Sequence, residues 1–147
     1  MKESEVGFRV LSEESLPIIL PMLVDLNNGN VPEKVLAERL AEMATQNYKC
    51  LGIYTGEALI GMCGLWFQTR HYAGKSVEMD HVFLQEGYRN QGIGKKLMEF
   101  VYQFANAHGC RWIELNTYVH NFASHKFYYN QGFVAKGYHF IKELQPR

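Results

Sequence analysis

Apolar side chains recur along this chain with two periods, and the switches between them lay out its elements. Residues 7–11 read as a short strand. Ser12 then suits a helix cap, with Glu13 and Glu14 in the first turn, where carboxylates favour the positive end of the helix dipole. Leu16, Ile19, Leu20, Leu23 and Leu26 follow at helical spacing, and Pro21 is expected to kink or interrupt that helix because it lacks a donor and crowds the preceding turn. The run Asn27-Asn28-Gly29-Asn30 ends it. Pro32 opens a second helix where its missing N–H costs little, with Val35, Leu36, Leu40 and Met43 as the buried stripe.

Strand-like runs cover residues 48–54 and 58–67, joined by the tight-turn signal Thr55-Gly56-Glu57. Residues 68–75 read as a polar loop and 76–84 as a third long strand. Ile93, Leu97, Met98, Val101 and Ala105 mark a helix closed by Gly109, and residues 111–117 read as a strand. Asn121 caps a short helix that stops at Gly132, whose backbone tolerates the left-handed conformation, and residues 133–141 form a last expected strand. The order βααβββαβαβ predicts an α/β sandwich: a mixed, mostly antiparallel central sheet with helices on both faces. A length of 147 residues suits one domain, 1–147, able to bury a single core without staples.

Fifteen basic and fifteen acidic residues cancel, so the composition gives no electrostatic reason for a nucleic-acid or anionic-membrane partner. The chain has no apolar run long enough for a membrane span, and its polar, acidic start does not resemble a signal peptide. A cytoplasmic setting is the expectation. Cys50, Cys63 and Cys110 form no C-x-x-C pair and lie in apolar, strand-like settings, which reads as small buried hydrophobes rather than a zinc or disulfide framework. No histidine pair has metal-ligand spacing: His120 and His125 are five apart, so no metal is expected.

The densest chemistry lies where the strand ending Val82-Phe83-Leu84 meets the helix at Ile93, through Arg89-Asn90-Gln91-Gly92-Ile93-Gly94. A helix start leaves its first N–H groups unpartnered and carries partial positive charge, so an anion there satisfies both. Gly92 and Gly94 lack a Cβ and let a bulky pyrophosphate approach the amides, while Arg89, Lys95 and Lys96 add charge. The nucleotide P-loop spacing is absent. The dinucleotide fingerprint fits only in part, with Leu97 in the place of its third glycine and Glu114 about twenty residues on.

Arg89-x-x-Gly92-x-Gly94 does match [R/Q]-x-x-G-x-[G/A] in full, and here the chain resembles the GNAT superfamily of N-acetyltransferases, whose loop of this pattern binds the pyrophosphate of acetyl-coenzyme A. Downstream, Asn121-Phe122-Ala123-Ser124 through Tyr128 to Gly132-Phe133 is similar to the family's N-x-x-[AS]-x-x-x-Y-x-x-x-G-F segment. The resemblance implies a GNAT-like fold and acetyl-CoA as co-substrate. It implies contacts to the coenzyme from Phe83, Leu84, Arg89, Asn90, Gln91, Gly92, Ile93, Gly94, Lys95, Asn121 and Ser124. Backbone amides around Phe83 and Leu84 would pair with the pantetheine arm if that strand splays from its neighbour.

Acetyl transfer to an amine needs a neutral nucleophile, a stabilised oxyanion and a proton for the departing thiolate. An alkylamine of pKa about 10.4 is neutral in roughly one molecule per thousand near pH 7, so a proton acceptor helps. Glu78 and Asp80 are two apart on one strand and share a face with Val82 and Leu84, while His81 falls on the opposite face. The resemblance implies a base at Glu78 or Asp80 and leaves the choice open, with reach favouring Glu78. It places Tyr128 near the coenzyme sulfur as proton donor; Tyr129, about 100° away around the helix, is out of register.

The family's acceptor pocket would draw on residues 26–31 and 66–74, where Trp66, Phe67 and Tyr72 offer aromatic walls. A small-molecule amine is the expected acceptor. A peptide or protein amine, and a module that binds acyl-CoA without turnover, are the alternatives. A homodimer is compatible with the sequence but not read from it.

Overall fold

Strand alternation and helical stripes sort the apolar side chains onto two faces of one sheet. The computed structural model describes residues 5–145. In chain order these form β1 (Val6–Val10), a 3₁₀ turn (Glu13–Ile19), α1 (Leu20–Leu26), α2 (Glu33–Met43), β2 (Tyr48–Thr55), β3 (Ala58–Arg70) and β4 (Gly74–Leu84). A short 3₁₀ turn (Glu86–Tyr88), α3 (Ile93–Ala107), β5 (Trp112–Leu115) and α4 (Phe122–Asn130) follow.

The sheet is open, five-stranded and mixed, in the order β1-β2-β3-β4-β5, with antiparallel pairing from β1 through β4. The chain divides into two compact units at Glu114/Leu115: β1 to β4, the first three helices and β5 up to Glu114 belong to the first, and α4 with the residues that follow it to the second.

On one face Tyr48, Cys50 and Met62 pack with Leu16, Ile19, Leu23, Leu36 and Leu40 from the 3₁₀ turn, α1 and α2. On the other, Phe8 and Phe67 meet Phe100 and Phe104 of α3, whose stripe Ile93, Leu97, Met98, Val101 and Ala105 is fully buried. Each large aliphatic side chain so covered contributes about 1.5–3 kcal/mol of burial free energy, enough to fix which residues of β2 and β3 face which way.

Local signals place most element ends. Ser12 accepts a hydrogen bond from the Ser15 amide at 3.3 Å, and Asn121 does the same for Ser124. Pro21 lies in the first turn of α1, so the interruption it imposes falls just before it, where the 3₁₀ turn holding Pro17 passes into α-helix. Gly56 takes φ +58° in a two-residue turn that sets Thr55 opposite Ala58.

Two expectations are corrected. Residues 68–75 are not a loop: β3 and β4 extend through them, with Gln68 opposite Ser76 and Arg70 opposite Gly74, leaving a three-residue turn. Ladder pairing outweighs local polarity there, since a solvated strand face can be polar. Residues 133–141 form no strand among the described residues, and Tyr138, Phe140 and Ile141 are 90, 88 and 85% exposed. Alternation marks the capacity to pair, but a strand exists only where a neighbour takes up its N–H and C=O groups.

Candidate active site

Past β4, the Gln85 amide donates to the Ile60 carbonyl at 2.9 Å, and Arg89 Nε donates to the Leu84 carbonyl at 2.8 Å. The Arg89 guanidinium also lies 5.6 Å from the Phe83 ring centroid, so this side chain closes the strand-to-helix turn as well as supplying charge. Asn90 adopts φ +61° and Gly92 φ +79°; both are left-handed, a conformation that asparagine tolerates and glycine adopts without penalty.

Gly92 is the N-cap of α3 and has no side chain to cap the helix. The first intrahelical bond runs from the Lys96 amide to the Gly92 carbonyl, so the amides of Ile93, Gly94 and Lys95 have no intrahelical acceptor. A Cβ built on Gly92 would meet nothing within 4 Å, so the space beside this turn residue is open. Gly94 is the second residue of α3. Gln91 folds back to donate to the Gly87 carbonyl at 2.9 Å, and Lys95 and Lys96 are exposed.

Upstream, the β3–β4 ladder carries a bulge. Leu65 is opposite Met79 and Cys63 opposite Val82, so Gly64 alone faces two residues, Asp80 and His81. One extra residue inverts the alternation beyond it, which corrects the expected faces. Glu78, opposite Trp66, and Asp80, which accepts from Trp66 Nε1 at 2.9 Å, share the α1/α2 face. His81 joins them rather than opposing them: its Nε2 lies 2.6 Å from the buried Tyr48 hydroxyl. Phe83 packs on that same face, and Val82 and Leu84 turn to the other.

Burial lowers the His81 pKa, against a smaller upward pull from Asp80, and burial pushes the Tyr48 phenol far up; both are neutral near pH 7. Burial likewise raises Cys50 to about 11 and pushes Cys63 up, so these thiols are not nucleophiles.

Trp66 and Phe67 cannot wall one pocket, since Phe67 turns to α3, 6.1 Å from the Phe104 ring, while Trp66 packs at a tilt against Tyr48, ring centroids 4.8 Å apart. Tyr72 is 74% exposed in the turn. An open groove of about 480 Å³ adjoins Phe83 on the α1 side, lined by Met22, Asp25, Tyr54 and Glu57 among others. Gly61 and Gly64 escaped the reading of the sequence. A Cβ on Gly61 would lie 2.5 Å from the Phe83 carbonyl oxygen, and one on Gly64 would enter the His81 ring. Two glycines three apart inside a strand pattern are the signal that could have revealed the bulge.

In the second unit, Asn121 caps α4, and Tyr128 is half-buried between Phe127 and Phe133, at ring distances of 5.2 and 5.6 Å. The Phe133 amide donates to the Tyr128 carbonyl at 3.0 Å, and Gly132 turns the chain at φ +91°. Tyr129 is 58% exposed, so Tyr128 is the tyrosine that packs into this unit.

A helix start capped by glycine follows a bulged strand, as the resemblance to the N-acetyltransferases implied, and the comparisons with known proteins show the family. The model of the acetyltransferase (GNAT) family matches residues 18–133, and the chain belongs to that family. It is an N-acetyltransferase. A spermine/spermidine N(1)-acetyltransferase of Bacillus subtilis (strain 168) is 27% identical over 139 residues, 90% of each chain.

Among solved structures, a ribosomal-protein-alanine N-acetyltransferase from Brucella melitensis biovar Abortus 2308 superposes with TM-score 0.80 at 16% identity, covering 96% of this chain and 100% of that one. AAC(6')-Iy bound to the bisubstrate analogue CoA-S-monomethyl-acetylneamine gives TM-score 0.78 at 18% identity, covering 97 and 100%. At such identities the structures show the shared fold. Among the described residues no helix is long and apolar enough to cross a membrane.

Proposed function

We propose that the protein transfers the acetyl group of acetyl-CoA to a primary amine of a small molecule, by direct attack in a ternary complex. The observation that carries this reading is the uncapped start of α3: three amides without intrahelical acceptors, behind a left-handed Gly92 with open space beside it. The residues there fit a diphosphate, with Lys95 beside it and the Asn90–Gly92 backbone shaping the turn.

Each of the two proton transfers has a residue. Glu78, or Asp80 in its place, takes a proton from the ammonium through water, which frees the nitrogen lone pair to attack the thioester carbonyl. The C–S bond then breaks and Tyr128 gives its phenolic proton to the thiolate, to be replenished from solvent. Glu78 has the longer reach, so it is assigned the base, and Asp80, which accepts from Trp66 Nε1, the attraction of the cation. Asn121 and Ser124 are assigned to the coenzyme arm, together with the β4 backbone at Phe83 and Leu84.

The acidic face formed by Glu78 and Asp80, with Trp66 beside it and a groove bearing Asp25 and Glu57 near Phe83, supports a cationic acceptor. The similarity to a spermine/spermidine acetyltransferase supports the same class.

The decisive experiment measures free thiol release from acetyl-CoA across a panel of polyamines, aminoglycosides and peptide N-termini. Turnover confined to peptides would move the acceptor to protein. Thermal protection by acetyl-CoA with no thiol above background would make the chain a binding module, and protection by NAD alone would overturn the reading. Tyr128→Phe is expected to lower kcat about 100-fold with coenzyme affinity retained, and Glu78→Gln by a similar factor, with Asp80→Asn acting mainly on the amine KM.

A further inference from the structure

A bulge is a place where a ladder can slip, because one residue lacks an opposite number and the alternation beyond it depends on where the extra residue sits. In an antiparallel pair, backbone N–H and C=O groups point alternately to one neighbour and to the other. The position of the extra residue in β4 therefore decides which groups of Phe83 and Leu84 bond to β3 and which are offered to the far edge.

Side chains from three strands meet at this point. The Tyr48 hydroxyl on β2 reaches His81 Nε2 on β4 at 2.6 Å, spanning β3. Gly64 of β3 lies beneath the imidazole: a Cβ there would stand 2.6 Å from both Cδ2 and Cε1, and closer still to Nε2. Trp66 packs against Tyr48 and donates to Asp80 at 2.9 Å, so both bulge residues are gripped from the neighbouring strands.

We propose that Tyr48 and His81, closing over Gly64, lock the β4 bulge in register and so set which backbone groups of Phe83 and Leu84 face the coenzyme arm. They are positioning residues, and the coenzyme part of this assignment rests on the acetyl-CoA reading above. The charge state suits a lock. The titratable groups on the same face as the pair are Asp80 on β4 and Cys50 on β2, with Cys63 of β3 acting more weakly from the opposite face, and burial keeps imidazole and phenol neutral. One hydrogen then joins them without a buried charge, while His81 Nδ1 is buried with no partner. That leaves Tyr48 as the ring's hydrogen-bonded side-chain anchor.

The test is a double-mutant cycle read in steady-state kinetics and in imidazole ¹⁵N NMR. Gly64→Ala is expected to raise KM for acetyl-CoA about tenfold with kcat at saturation changed less than about twofold, and His81→Ala to do the same. Because both act by removing the ring from its seat, the double variant should be no worse than either single one. Tyr48→Phe keeps the ring and its packing, and is expected to raise the same KM about threefold.

In the wild type, His81 should titrate below its ordinary pH of about 6.5, and Tyr48→Phe should shift its ring-nitrogen signals. Additive effects of Gly64→Ala and His81→Ala, or an unchanged KM in His81→Ala and Tyr48→Phe, would overturn the lock. So would a His81 that titrates near 6.5 and ignores Tyr48→Phe. If the wild type neither binds nor turns over acetyl-CoA, the functional reading fails by itself, and the lock is still decided by the NMR signature and by the same cycle measured in melting temperature.

Discussion

The glycine turn before α3 and the bulge in β4 both present backbone groups that regular structure would consume, and they do so by different means. At the turn, the device is local: Gly92 adopts φ +79°, the helix begins without a cap, and three consecutive amides are left over. At the bulge, the device is assembled across strands: Asp80 and His81 crowd opposite Gly64, and Tyr48 and Trp66 hold them from β2 and β3. A local device tolerates changes in its neighbours but not in its own backbone. An assembled one is sensitive at several distant positions, each contributing less.

That contrast can be broken at its strongest point first. Gly92→Val forces a β-branched residue into the left-handed region, which costs on the order of 1–3 kcal/mol and closes the approach to the amides. Acetyl-CoA binding measured by calorimetry is expected to be lost while the fold persists by circular dichroism; retained affinity would remove the turn from the site.

Gly61→Ala comes next. Its Cβ would lie 2.5 Å from the Phe83 carbonyl oxygen, a backbone atom that cannot rotate away, so a destabilisation of about 1–3 kcal/mol in urea unfolding is expected, with a raised acetyl-CoA KM.

A pH titration of stability gives a smaller effect, with a sign that identifies its source. The folded His81 pKa lies below its ordinary value, so the unfolded chain binds more protons there and stability is lost as pH falls through and below about 6.5. Cys50 works at the other end. Its thiol is raised to about 11 from 9.0, so its contribution is complete below pH 9 and declines toward 11, by up to about 1.4 kcal/mol per unit. His81→Ala should flatten the acid limb and leave the alkaline one; an unchanged acid limb would place that linkage elsewhere.

The smallest expected effect is that of Trp66→Phe. It keeps the ring against Tyr48 and removes the hydrogen bond to Asp80, which is exposed, so the expected change is a rise of about two- to fivefold in the amine KM with little loss of stability.

Much of the molecule was legible in advance, for reasons that are local. Ser12, Asn121, Gly56, Pro32 and the stripe of α3 act within a few residues of themselves, and each does in the structure what its type and spacing required. The glycine turn belongs with them. The faces of β4 were misread for the opposite reason. Strict alternation puts His81 opposite Asp80 and Leu84 alongside it, and a single extra residue reverses both. Residues 133–141 carry a strand pattern as good as that of β2, but pattern supplies no partner. The loop expected at 68–75 failed in the reverse sense, since a partner was present and polarity did not forbid pairing.

By itself the sequence determined the family, the kinds and order of most elements, and the left-handed turn at the head of α3, because these follow from side-chain period, caps and the conformational freedom of glycine. Only the tertiary structure decided where β4 gains its extra residue, that His81 shares a face with Glu78 and Asp80, and that residues 133–141 form no strand among the described residues. Those outcomes depend on which residues far apart in the chain come to lie opposite one another. Positions 48, 64 and 81 meet through the register of three strands, and no one strand's pattern contains that register.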